Sequence, residues 1–165
     1  MKMVTSDVLL LAEKLKEEHL TLSIAESCTG GLLSSMFTEL SGASEFFIGS
    51  SVTYSDNSKI RVLGVKEETL NEFGAVSKET AREMASGART LFGTDISVSV
   101  TGIAGPSGGT ESKPLGLVFI AVSDRTRCSI TENNFKGSRN EVQSNASDKA
   151  VKDILEFIGQ YDANF

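Results

Sequence analysis

A chain of 165 residues with 39% hydrophobic and 23% charged residues has the composition of one ordinary globular unit, expected to span 1–165. Its net charge of -6 argues against a general partner in nucleic acid or an anionic membrane, because both are held by basic surfaces; one anionic small molecule remains compatible. No apolar run approaches the ~18–20 residues that span a bilayer, and Cys28 and Cys128 lack the spacing of a disulfide framework or a zinc site. The expected compartment is the cytoplasm.

Val8, Leu11, Ala12 and Leu15 recur at helical spacing behind Ser6, which predicts an amphipathic helix over about 6–19 with Ser6 as its N-cap. Thr21 to Ala25 reads as a strand, and Leu32 to Leu40 as a helix after a turn of small residues. Phe46 to Tyr54 predicts a second strand, followed by a short polar helix over Asp56–Leu63. Ser77 caps a longer helix to about Phe92 with Ala81, Met84, Ala85 and Ala88 inward. Asp95 to Thr101, Leu117 to Val122 and Cys128 to Phe135 read as strands, separated by a Gly- and Pro-rich loop over Gly102–Pro114. A last helix is predicted over Ser138–Ile158. Strands and helices alternate until two strands run together, so the expected fold is a three-layer α/β/α domain with a mixed, mostly parallel sheet.

The chain has a single histidine, His19, placed where a solvated helix end is expected. A serine or cysteine nucleophile activated by histidine is therefore not the expectation, and no His/Asp/Glu cluster has metal-ligand spacing. Ser27 follows the first strand, where open α/β sheets place ligands, and the next helix directs N–H groups at the same space. The same residues equally fit a capped helix start with no chemistry. Cys28 is a rival nucleophile that reads better as a buried thiol. Lys59 can serve as a base only if burial keeps it neutral, and on its charged segment, judged alone, it reads as solvated. The loop Thr101–Gly109 matches neither a dinucleotide fingerprint nor a P-loop, yet its N–H groups suit an oxyanion or a phosphate. Arg139 near a helix N-terminus suggests an anion to pair with, or a surface ion pair with Glu141.

Seven segments in order resemble the C-terminal domain of the CinA (competence-damage-inducible protein A) family. They are Ala25–Gly31, Val52–Ser55, Leu63–Val65, Gly74–Ser77, Thr101–Pro106, Lys113–Gly116 and Phe135–Arg139. The resemblance covers nearly the whole chain, and a stand-alone form without the family's preceding domain is the expectation. It implies an amidohydrolase that converts nicotinamide mononucleotide to nicotinic acid mononucleotide and ammonia. In that reading Ser27 is the nucleophile, Lys59 the general base and Tyr54 an aid to proton transfer. Substrate contacts are implied for Glu26, Thr29, Gly30, Thr101, Gly102, Gly105 and Arg139, the last holding the phosphate. No metal and no cofactor is implied, and the expected assembly is a homodimer. Three positions depart from the family pattern: Asp56 where Asn is usual, Ser138 where an acid is usual, and Gln143 where a second arginine is frequent. Two alternatives accompany this reading, an amidohydrolase for another anionic amide and a catalytically silent nucleotide-binding module.

Overall fold

Strands built of apolar and small residues can be covered on both faces and so take the middle of a sheet. β1 (Leu22–Glu26), β3 (Ile96–Gly102) and β4 (Leu117–Ser123) are buried along almost their whole length. The partly exposed β2 (Phe47–Val52) and β5 (Cys128–Asn134) form the edges, giving the order β2-β1-β3-β4-β5. β1 pairs in parallel with β2 and β3, whereas β4 runs antiparallel to both β3 and β5. Every strand except β4 therefore points the same way, which makes the sheet mixed and mostly parallel as expected. The computed structural model describes residues 4–162, so both ends of the expected 1–165 span lie outside the described residues.

Six α-helices cover the sheet among the described residues. α1 (Ser6–Glu17), α2 (Leu32–Thr38) and α6 (Arg139–Asp162) pack on one face, around Leu22, Ile24 and Val98. α3 (Asp56–Leu63), α4 (Glu67–Phe73) and α5 (Lys78–Phe92) lie on the other, where Ala25 meets Leu63 and Met84. Successive strand residues point to opposite faces. Glu26 and Ser27 are thus delivered to different layers, Glu26 towards α2 and Ser27 towards α3.

The differences from the sequence reading are local. Thr5 rather than Ser6 caps α1, its hydroxyl accepting from the Val8 N–H at 3.4 Å. α1 stops at Glu17, because the exposed His19 takes a left-handed φ of 55° and turns the chain into β1. Ser77 caps α5 as predicted. α4 and a 3₁₀ turn at Ala43–Glu45 were not predicted, and α6 runs past Ile158 to Asp162. Among the described residues no helix is long and apolar enough to cross a membrane.

Candidate active site

β1 delivers Ser27 to the carboxyl edge of the sheet, and the Ser27 N–H still bonds the Val100 carbonyl of β3 at 3.0 Å. The chain then reverses through Gly30 and Gly31, whose φ values of 61° and 102° lie where a side chain would be strained. Gly31 occupies the N-cap of α2 but has no side chain to satisfy the orphan N–H groups there. Glu26 does so instead. Its Oε2 accepts from the Gly31 and Leu33 N–H groups at 3.0 and 3.1 Å, and its Oε1 from the Ser34 N–H and hydroxyl at 2.9 and 2.5 Å. The fully buried Glu26 was expected to touch substrate; its carboxylate is committed to the layer away from Ser27.

Lys59 arrives from the opposite layer. The Ser55–Ser58 capping box starts α3, and one turn later the Lys59 side chain enters the interior, with 1% of its surface exposed. Its Nζ lies 3.1 Å from Ser27 Oγ and donates to the Thr53 carbonyl at 2.8 Å. Burial lowers the Lys59 pKa from its ordinary value, partly opposed by the Asp56 carboxylate. A neutral amine fits the spacing well: it donates one N–H to Thr53 and accepts the Ser27 O–H on its lone pair. α3 sits this close because α5 carries Gly87, where an added Cβ would meet the Leu63 carbonyl oxygen at 1.9 Å. Burial drives the neighbouring Cys28 thiol up to about 12, which removes the rival nucleophile at ordinary pH.

The third wall is the Gly-rich loop. Thr101 is buried and its hydroxyl donates to the Ala75 carbonyl at 2.8 Å, tying β3 to the α4–α5 connection. Gly102 has no room for a Cβ, which would approach the Leu117 carbonyl oxygen to 2.6 Å, and Gly105 has a φ of 87°. Arg139, at the start of α6, donates Nη1 to the Gly105 carbonyl and Nη2 to the Tyr54 hydroxyl, the latter at 2.6 Å. Tyr54 is 61% exposed, and its hydroxyl is on Arg139 rather than on Ser27 or Lys59.

These residues enclose a cavity of about 230 Å³ lined by Ser27, Tyr54, Lys59, Thr101, Gly105 and Arg139, with Gly102 also on its wall. Glu26, Thr29 and Gly30 do not line it. Beyond Arg139 a second cavity of about 290 Å³ is lined by Leu115, Phe135, Lys136 and Val142. A larger open concavity of about 630 Å³ lies between α3 and α5. Its lysine, Lys66, is exposed where Lys59 is buried, so size does not mark the chemical site. Among the described residues no group of three or more His, Cys, Asp or Glu side chains is placed to hold a metal.

Three roles escaped the sequence reading. Glu26 as the cap of α2 was signalled only by a helix start that lacks a capping residue of its own. The Thr53 carbonyl, a partner of Lys59, leaves no trace in a sequence. Gln143 does not point at an anion: its Nε2 donates to the Cys28 carbonyl at 2.8 Å and ties α6 to the turn after Ser27. Ser138 and Glu141 hold each other at the start of α6, with Ser138 N–H to Glu141 Oε2 at 2.7 Å. The alternative ion pair of Arg139 with Glu141 is accordingly not formed.

Residues 6–158 match the profile of the CinA C-terminal domain. The chain belongs to the CinA family. Among CinA relatives, a CinA-like protein of Syntrophomonas wolfei is 50% identical over 134 residues, 81% of this chain and 32% of that protein. A CinA-like protein of Thermotoga maritima is 46% identical over 144 residues, 87% of this chain and 35% of its own length. The chain thus spans about a third of the curated CinA-like proteins it matches. Of solved structures, the competence/damage inducible protein CihA from Agrobacterium tumefaciens shares 37% identity at a TM-score of 0.88, over 96% of this chain and 99% of that one. A CinA superfamily protein from Enterobacter cloacae shares 32% identity at a TM-score of 0.90, over 94% and 93% of the two chains.

Proposed function

We propose that this CinA domain is a serine amidohydrolase that converts nicotinamide mononucleotide to nicotinic acid mononucleotide and ammonia. One observation carries the chemistry: a buried lysine with lowered pKa, 3.1 Å from a serine hydroxyl at a sheet's carboxyl edge. The resemblance supplies the substrate, and Arg139 on the cavity wall supports an anionic one. The same reading takes residues 1–165 as one cytoplasmic domain that works as a homodimer without metal or cofactor.

Neutral Lys59 removes the Ser27 proton as Oγ adds to the carboxamide carbon. The oxyanion faces main-chain donors; the Ser27 and Ile103 N–H groups already have carbonyl acceptors. Those of Ala104 and Gly105 have no backbone acceptor among the described residues and adjoin the cavity. Protonated Lys59 returns the proton to the departing nitrogen, ammonia leaves, and an acyl-serine remains. Water then adds to the ester, giving one proton to Lys59. The tetrahedral species releases the acid, and Ser27 takes the proton back. The sum is amide plus water giving acid plus ammonia, with the enzyme regenerated.

The test is ammonia release from nicotinamide mononucleotide by the parent and by Ser27→Ala. The expected result is activity in the parent that falls by about 10³-fold or more in the variant. Turnover of another anionic amide in its place would redirect the substrate. Stoichiometric binding without ammonia release would favour a silent binding module.

A further inference from the structure

Tyr54 stands on the wall of the reaction cavity, yet its hydroxyl is held by Arg139, not by the groups it would assist. The backbone on either side of it is fixed. The Thr53 N–H bonds the Glu26 carbonyl at 2.8 Å, and Ser55 closes the capping box of α3. The phenol ring between these anchors is exposed, so it can turn about its own side-chain bonds without moving the strand or the helix. Ser27 Oγ has Lys59 as its single hydrogen-bond partner among the described residues, which leaves the serine oxygen able to take a second.

Arg139 is equally unsettled in charge. Its two bonds, to the Gly105 carbonyl and the Tyr54 hydroxyl, are to neutral oxygens, and it makes no ion pair with a carboxylate among the described residues. Glu141, the nearest acid in sequence, is held by Ser138. Lys136 lines the adjoining cavity together with Arg139, so a second cation faces the same region. A guanidinium with a planar fork and no anion partner binds a phosphate through two parallel bonds, which are shorter and stronger than its bond to one phenol.

We propose that Arg139 and Tyr54 form a latch that the anionic group of the substrate opens. The anion takes the Nη2 donor from Tyr54, and the freed phenol turns to Ser27, where it hands on to the departing amide nitrogen the proton that Lys59 has taken from Oγ. The phosphate then acts on the rate of the amide step as well as on binding. An amide that lacks it leaves Tyr54 on Arg139 and reacts slowly even when bound. This inference rests on the amidohydrolase reading for its kinetic consequence, but the latch itself is a physical contact with its own readout.

The chain contains two tyrosines and no tryptophan, and the second tyrosine, Tyr161, is bonded to Asp124 far from the cavity. Tyrosine ultraviolet difference absorption therefore reports Tyr54 once Tyr161→Phe has removed the other ring. Inorganic phosphate is titrated into the full chain. A saturable change is expected in the parent and in Tyr161→Phe, and none in Tyr54→Phe, Arg139→Gln or Arg139→Lys; the last keeps the charge but lacks the fork. In the kinetic arm, phosphate should raise ammonia release from nicotinamide riboside by about tenfold, and Tyr54→Phe should abolish that rise. No tyrosine change with phosphate, or a change that survives Tyr54→Phe, overturns the latch. A tyrosine change in a protein that hydrolyses no amide leaves the latch standing and removes the amidohydrolase reading instead.

Discussion

The two walls of the reaction cavity are built on opposite plans. On one side Ser27 and Lys59 are buried and their polar neighbours are committed to fixed contacts within the fold. Glu26 holds α2, Gln143 holds the turn, and the Thr53 carbonyl holds the amine. On the other side Arg139 and Tyr54 are exposed and bonded to each other and to a glycine loop. A group whose pKa must be displaced has to be desolvated and held still. A group that meets a charged ligand arriving from water gains nothing by being buried beforehand, since desolvating it in advance costs free energy that the ligand must recover. In the proposed reading the buried wall holds the nucleophile and its base, the exposed wall meets the anion, and Tyr54 links the two.

Lys59→Met offers the strongest way to break that comparison. If the buried wall is the chemical one, ammonia release should fall by roughly 10²–10⁴-fold, the range general-base groups supply. Stability should move the other way. Because burial lowers the folded pKa of Lys59, the unfolded chain binds the extra proton between that pKa and the ordinary ~10.4, so this residue makes stability rise with pH across that window. The methionine variant lacks this slope. It should therefore gain most over the parent near neutral pH and lose its advantage as pH approaches ~10.4, as read by urea unfolding at several pH values.

Arg139→Gln tests the other wall. An exposed residue at a helix start should change stability by no more than about 0.5 kcal/mol. Loss of a charged hydrogen-bond partner should raise KM for the mononucleotide by roughly 10–100-fold. A large loss of stability with unchanged KM would mean that Arg139 holds the loop and captures nothing. Gly87→Ala is the smallest lever and sharpens the comparison from a distance. Its new Cβ collides with the backbone of α3, costing about 1–3 kcal/mol and shifting the helix that carries Lys59. A drop in kcat of a few-fold with KM little changed is expected by steady-state kinetics, because only the chemical wall has moved.

Much of the fold was legible because burial writes itself into composition. β4 is a nearly continuous apolar run, β3 alternates Ile96, Val98 and Val100 with Ser and Thr, and α5 shows an alanine stripe behind a serine cap. α4 was missed because its seven residues bury just Thr69 and Leu70 and it has no side-chain cap, which leaves neither stripe nor start signal. Lys59 could be singled out as a base but not placed. Its segment Asp56–Arg61 is polar but for Ile60, and its contact with Ser27 crosses 32 residues of chain. The layer that receives Glu26 was not legible for a related reason: alternation along β1 decides which of two adjacent polar residues faces the cavity, and a five-residue strand buried on both faces hides that phase.

Folding order follows from where β1 sits in the sheet. The β4–β5 hairpin pairs residues close in sequence and can close early, whereas β1 must wait for β3, with Thr21 and Asp95 meeting across 74 residues. The Ser27 N–H is tethered to Val100, so the turn that presents the serine acquires its anchor only once β3 has been made. A chain cut before β3 carries Ser27 and Lys59 without the strand that registers the turn between them.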